Sequence, residues 1–206
     1  MIIDLSVRLN EDTPVYPGDP KLEVKSAATF EKDTYLGHSV TLGTHAGTHI
    51  DSPAHMIEGG NTLDSFSADS FVGAARYVQV LNNEFNLDDV QSCGIQEGDI
   101  VLFHTGMSDH NDEQIYFENY PAMSEEIARY LVACKVKMVG VDTCSIDNDP
   151  KFPIHKLLLS NNILIIENLT NLGQLSGIES VIYALPIKLD LDGAPARVIA
   201  EVKNSL

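Results

Sequence analysis

Basic residues are scarce in this chain: 13 Lys and Arg stand against 30 Asp and Glu over 206 residues, a formal net charge of −17. A phosphate backbone is held by Lys and Arg that displace its counterions, so a nucleic-acid partner is excluded. An anionic membrane surface is disfavoured for the same reason. The acidity points instead to solubility and a small-molecule substrate. Cysteine is sparse too. Cys93, Cys134 and Cys144 occur singly, with no Cys-x-x-Cys, which argues against a disulfide framework or a thiolate zinc site. No apolar run is long enough to cross a bilayer; the run that starts at Ile163 meets Glu167 after four residues. The opening Met-Ile-Ile-Asp-Leu-Ser has no basic stretch leading into an apolar one, so no secretory signal is expected and a cytoplasmic protein is. Gly-x-Ser-x-Gly is missing, and with it the serine-hydrolase elbow. His-Glu-x-x-His is missing because residue 46 is Ala. The acidic segment 142–149 lacks the glycine and spacing of a calcium loop and reads as a polar loop.

What remains is an ordinary globular composition, 44% hydrophobic, in a chain long enough for one compact domain with its own core. No repeat or Pro/Ser-rich linker divides it, so residues 1–206 are read as a single domain. Apolar, β-branched runs predict strands over 77–81, 99–103, 138–142, 162–166, 181–189 and 196–202. Pro186 argues against 181–189 as an interior strand. A helix is predicted over 123–135: Ser124 can cap it, and Ile127, Tyr130, Leu131 and Cys134 form an apolar stripe at i, i+3, i+4 and i+7. A shorter helix is predicted over 155–159. Helices leading directly into strands give an α/β class, a mixed sheet with a few helices packed on it.

The most informative stretch is His45-Ala-Gly-Thr-His49-Ile-Asp51-Ser-Pro-Ala-His55, which holds three of the seven histidines and a carboxylate. Imidazole and carboxylate are the ligands that divalent zinc and its neighbours favour. His45 and His49 are four apart, but Gly43, Thr44, Gly47, Thr48 and Pro53 are poor helix formers. In an extended chain His45, His49, Asp51 and His55 share one face. A straight strand would still separate His45 from His49 by about 13 Å, too far for one ion. The chain is therefore expected to bend, and Gly47 is the residue that permits it. Thr44 and Thr48 offer hydroxyls that could orient the ligands. Pro53 then sets the direction of the chain before His55, for which two roles are open: a further ligand, or a free imidazole that shuttles protons.

Glu167 ends an apolar run, where an unpartnered carboxylate is costly to bury. A metal, an Arg or a Lys would hold it ionised. His155 lies twelve residues upstream. Taken alone, these two read first as a helix-start His and a strand-end Glu facing water.

The string His45-x-Gly-Thr-His49-x-Asp51-x-Pro-x-His55 resembles the signature of the cyclase-like metal hydrolases, which include the bacterial kynurenine formamidases (arylformamidases). Pro14-Val-Tyr-Pro-Gly-Asp19 resembles the substrate loop of that family, His55-Met-Ile-Glu-Gly-Gly60 continues its motif, and the segment from His155 to Leu169 matches its second ligand pair. The resemblance implies a compact mixed β/α domain of the swivelling β/β/α type, a homodimer or larger. It also implies a binuclear centre, zinc (Zn2+) or in some relatives manganese (Mn2+). His45, His49 and Asp51 would hold one ion, Asp51 bridging to a second held by His155 and Glu167. His55 would donate and accept the proton, and Tyr16 would meet the substrate. Position 16 is Tyr where the formamidases often carry Trp, and the chain has no Trp. The implied reaction is hydrolysis of N-formylkynurenine to kynurenine and formate, with isatin-type or other cyclic amides and esters as alternatives. Two other readings stand beside it: a cysteine hydrolase using Cys144 and His155, and a metal-binding protein without catalysis.

Overall fold

Runs of apolar residues that a helix follows at once cannot return as hairpins; they are built as parallel strands with the helix crossing over the sheet. Three such runs form the centre of this protein. The structure, a computed structural model, describes residues 1–111 and 114–202. Its strands are β1 (Ile2–Asp4), β2 (Glu23–Ala28), β3 (Gly37–Thr41), β4 (His49–Asp51), β5 (Val72–Gln79), β6 (Ile100–His104), β7 (Met138–Val141), β8 (Leu164–Glu167), β9 (Ser180–Pro186) and β10 (Gly193–Val202). Its α-helices are α1 (Phe30–Asp33), α2 (Leu87–Ser92), α3 (Ile115–Glu118), α4 (Glu125–Cys134) and α5 (Pro153–Leu159). Among the described residues, no helix is long and apolar enough to cross a membrane.

Strands β5, β6, β7 and β8 are parallel neighbours, with α2, α4 and α5 in the crossovers. From β8 the sheet continues antiparallel through β4 to β10, and β10 pairs β9, which returns to β5. The sheet thus closes on itself like a barrel. β1 extends the same edge of β10 that β4 occupies. β2 and β3 form a separate two-stranded ribbon.

Strand alternation sorts side chains into two cores. Ile100, Leu102, Met138, Leu164 and Ile166 point into the barrel, joined by Ile50, Ile182 and Val198. Val101, Phe103, Val139, Val141 and Ile165 point outward, under Ile127 and Leu131 of α4 and Leu158 of α5. Each such fully buried side chain stabilises the fold by about 1.5–3 kcal/mol. The site lies on this outward face. Ile50 and Ile166 pair across β4 and β8 and look inward, so the flanking His49, Asp51 and Glu167 look the other way.

The predicted helix over 123–135 is present as α4: the Ser124 side chain accepts from the Ile127 amide, and Lys135 closes the helix in the left-handed region at φ 54°. The helix predicted over 155–159 begins two residues earlier, at Pro153. Pro186 stands as the last residue of β9. β1 and β4 have three residues each, too short for alternation to show, and β2 and β3 are exposed on nearly every residue. Segment 142–147 is a loop, but not a solvated one: Asp142, Thr143, Ser145 and Asp147 are all buried.

Candidate metal centre

Residues 44–48 turn rather than extend, and Gly47 takes φ +61° at the bend. The turn brings the rings of His45 and His49 to 5.0 Å between centroids. β4 then carries His49 and Asp51 on one face, directly across from Glu167 and Ile165 of β8. After β4, Pro53 opens a single 3-10 turn, Pro53–His55, which swings His55 back so that its ring lies 4.0 Å from that of His45. The first turn of α5 supplies His155 from above.

Asp51 is wholly buried at the centre of this group. Its Oδ1 lies 2.7 Å from His45 Nδ1 and 3.2 Å from His49 Nε2, and its Oδ2 lies 3.6 Å from His155 Nε2. Glu167 stands 3.1 Å from His155 Nε2 and 3.6 Å from His49 Nε2, and also accepts from the Ile146 amide. The six sequence-predicted residues other than Tyr16 are therefore in one place. Two sets of donor atoms lie within 4.8 Å of one another: His45, Asp51 and His55, and His49, Asp51 and Glu167. They share Asp51. By distance alone His55 falls in with His45, whereas the resemblance assigned it proton transfer. Tyr16 lines the mouth of the cleft above the cluster.

Two polar atoms at the centre are buried without any hydrogen-bond partner, His49 Nε2 and Asp51 Oδ2. Each orphan costs about 1–3 kcal/mol unless something fills the gap. Among the described residues no Lys or Arg forms an ion pair with Asp51 or Glu167; their charged neighbours are histidines. An imidazole nitrogen and a carboxylate oxygen, both orphaned in one buried cluster, belong to the donor set a divalent ion such as zinc favours. The residues present fit that group.

The outer contacts hold the imidazoles in place. Asp147 accepts from His155 Nδ1 at 2.8 Å and from the Ile154 and His155 amides, which both orients the ring and caps α5. Gly47 O accepts from His49 Nδ1 at 2.8 Å and from Asn168 Nδ2 at 3.0 Å. Asp192 Oδ2 reaches His45 Nε2 at 2.9 Å and His55 Nδ1 at 3.4 Å. The Thr48 hydroxyl, expected beside a ligand, instead donates to Asn168 O at 2.6 Å and accepts from the Val7 amide, tying β4 to the end of β8. Asp147, Asn168 and Asp192 were not singled out in the sequence. Nothing local in the sequence sets Asp147 or Asp192 apart from the other acidic residues.

The electrostatics follow the packing. Burial works against charge on His45, but Asp51 and Asp192 outweigh it and raise its pKa to about 9. Asp51 is opposed by burial and held well below the usual carboxylate range by His49 and His45. His55 moves the other way: burial lowers its pKa, keeping it a neutral base near pH 7. Burial, then Glu167, pushes the Cys144 thiol up to about 12, and its Sγ donates to Tyr116 O rather than pairing with His155. A neutral thiol is a poor nucleophile, so the cysteine-hydrolase reading loses its support.

Above the cluster opens a cleft of ≈ 420 Å³. Tyr16, Phe117 and Phe152 give it aromatic walls, and His55, His155 and Glu167 form part of its polar floor.

A family model described as "Putative cyclase" matches residues 3–148. An uncharacterised protein of Methanocaldococcus jannaschii is 36% identical over 189 residues, 90% of this chain and 91% of its own. A kynurenine formamidase of Bacillus cytotoxicus is 30% identical over 202 residues, 96% of this chain and 95% of its own. A solved structure named as a potential metal-dependent hydrolase with cyclase activity is 31% identical, with a TM-score of 0.80 over 97% of this chain and 96% of its own. An isatin hydrolase bound to the product analogue thioisatinate gives a TM-score of 0.86 over 97% and 91%, at 21% identity, a likeness of fold alone.

Proposed function

The chain belongs to the Cyclase family, and from that premise we propose that it is a metal-dependent hydrolase of small amides, an arylformamidase that cleaves N-formylkynurenine to kynurenine and formate. The observation that carries this reading is the placement of His55 at the floor of an aromatic cleft, beside a carboxylate-centred cluster with two orphaned donors. A kynurenine formamidase at 30% identity over nearly the whole chain supports the substrate class.

His45, His49, Asp51, His155 and Glu167 would hold the metal, with Asp51 shared between two ions. A bound divalent ion supplies Lewis acidity for the formyl carbonyl and brings the pKa of water towards neutrality. The protein does the rest. His55, neutral near pH 7, takes a proton from the attacking water and returns it to the leaving arylamine as the C–N bond breaks. Tyr16, Phe117 and Phe152 present ring faces and edges to an aryl substrate.

The test is hydrolysis of N-formylkynurenine by the zinc- or manganese-loaded protein, with and without chelator and beside isatin as a cyclic amide. Chelator-sensitive deformylation is expected. His55→Ala should keep its metal and lose about 10²–10⁴-fold in turnover. A fully active His55→Ala protein would refute the mechanism, and turnover of isatin alone would move the substrate to cyclic amides.

A further inference from the structure

Residue 152 goes against three local preferences at once. It is the N-cap of α5, a position that Ser, Thr, Asp, Asn or Gly favours in extended backbone, yet it is Phe, at φ 51° and ψ 54°. It precedes Pro153, whose ring crowds the residue before it towards extended conformations. Among the described residues eight other than glycine have positive φ; five are Asn, which tolerates the left-handed region, and Thr34 and Lys135 close helices. Phe152 opens one. The cap comes from elsewhere: Asp147 accepts from the Ile154 and His155 amides. The Phe152 amide donates to Asp149 O at 2.9 Å and its carbonyl accepts from the Lys156 amide at 3.1 Å, so the left-handed residue is pinned on both sides.

The half-buried Phe152 ring joins neither of the two cores among the described residues. It lines the cleft, perpendicular to the His155 ring, with centroids 5.7 Å apart. His155 is itself fixed, because Asp147 accepts from its Nδ1 as well as its amide. A residue that costs strain and adds nothing to a core is kept for what its side chain meets. We propose that Phe152 determines specificity: it is the wall that makes the cleft prefer flat aryl groups to puckered rings of the same size, and its left-handed backbone aims it there. This deepens the hydrolase reading and rests on it for the chemistry. Wall and floor meet where the Phe152 and His155 rings touch, so an amide whose carbonyl reaches the floor brings its aryl group to the wall. A flat ring can lie offset or edge-on against Phe152, a fit that a puckered ring does not match. Aromatic pairs of this kind bind about 2–10-fold tighter than their buried area alone provides.

The experiment needs no turnover. Acetophenone and cyclohexyl methyl ketone, carbonyl compounds of nearly the same size that cannot be hydrolysed, are titrated into the full chain by calorimetry with zinc present. The ratio of their affinities reads the wall. The wild type should favour acetophenone, and in Phe152→Leu, which keeps bulk but loses the flat ring, the ratio should fall about 2–10-fold. The strain is read by comparing Phe152→Gly with Phe152→Ala, which both lack the ring and differ by one Cβ. The Gly variant should have the higher Tm, by roughly 2–5 °C, the reverse of the order in helix or strand backbone. An unchanged ratio in Phe152→Leu, a wild type that does not favour acetophenone or binds neither ketone, or an Ala variant at least as stable as the Gly variant would overturn the proposal. A ratio that falls as expected in a protein that does not hydrolyse N-formylkynurenine would count against the formamidase reading and leave Phe152 supported as the aryl wall.

Discussion

Gly47→Ala separates the work of the bend from the work of the ligands. At φ +61° an L side chain sits in the left-handed region, which costs about 1–2 kcal/mol. The new Cβ would also stand 2.5 Å from Leu9 Cδ2, 3.3 Å from Leu9 Cγ and 3.3 Å from Val7 Cγ2. Leu9 is partly exposed and its tip can swing away, which keeps the overpacking near the low end of its range, about 1–2 kcal/mol. The sum is about 2–4 kcal/mol, and in a domain of this size it should lower the Tm by roughly 10 °C. The damage should not stop at stability, because the Gly47 carbonyl holds both His49 Nδ1 and Asn168 Nδ2. Zinc affinity should fall by about 10–100-fold, as when a group that orients a ligand is lost. Gly59→Ala is the control: its φ is +71°, with nothing within 4 Å of the new Cβ. It should show the backbone cost alone and bind zinc normally. Thermal unfolding by calorimetry and chelator competition read the two effects. Gly47→Ala that matches Gly59→Ala in both would refute the claim that this bend builds the site.

Asp147→Ala removes the acceptor that holds His155 Nδ1 and caps α5; zinc affinity should fall by about 10–100-fold, with the protein still folded by circular dichroism. In the metal-free protein His45 has its pKa raised from 6.5 to about 9. The stabilisation this represents is complete below pH 6.5 and lost as pH rises through about 9. The metal-free Tm should therefore decline across that interval. The same proton must leave before His45 can bind an ion, so zinc binding near neutral pH should release protons and tighten with pH, as calorimetry in buffers of different ionisation enthalpy would show. With its thiol pushed up to about 12, Cys144 should resist iodoacetamide at mildly alkaline pH and alkylation should not abolish activity; rapid inactivation that metal cannot reverse would revive the cysteine reading.

The parts of this protein legible in its sequence are those where one local signal suffices. The runs at β6, β7 and β8 are buried on both faces and read as continuous apolar strands; α4 carries its own stripe and its own cap. The bend at Gly47 follows from the reach of two imidazoles. What stayed hidden depends on pairing between distant segments. β4 is three residues long and is a strand only because β8 and β10 flank it. Asp192 is remote from His45 in sequence and meets it only through the register Gly193 to Asp51. The segment 142–149 reads only as a polar loop, and its carboxylates at 142 and 147 are buried as acceptors: Asp142 for the Thr105 and Gly106 amides, Asp147 for the start of α5. Polarity in sequence does not reveal whether a group's partners are water or backbone.

The account stands on Asp51 as the shared carboxylate of a metal centre, and elemental analysis tests that most directly. Purified protein reconstituted with zinc or manganese and freed of excess ion should retain the metal, about two equivalents if Asp51 bridges a binuclear centre of the kind two-ion hydrolases use. Asp51→Asn should lose it. Protein that retains no divalent ion after reconstitution, or Asp51→Asn that holds as much as the wild type, would contradict the central claim.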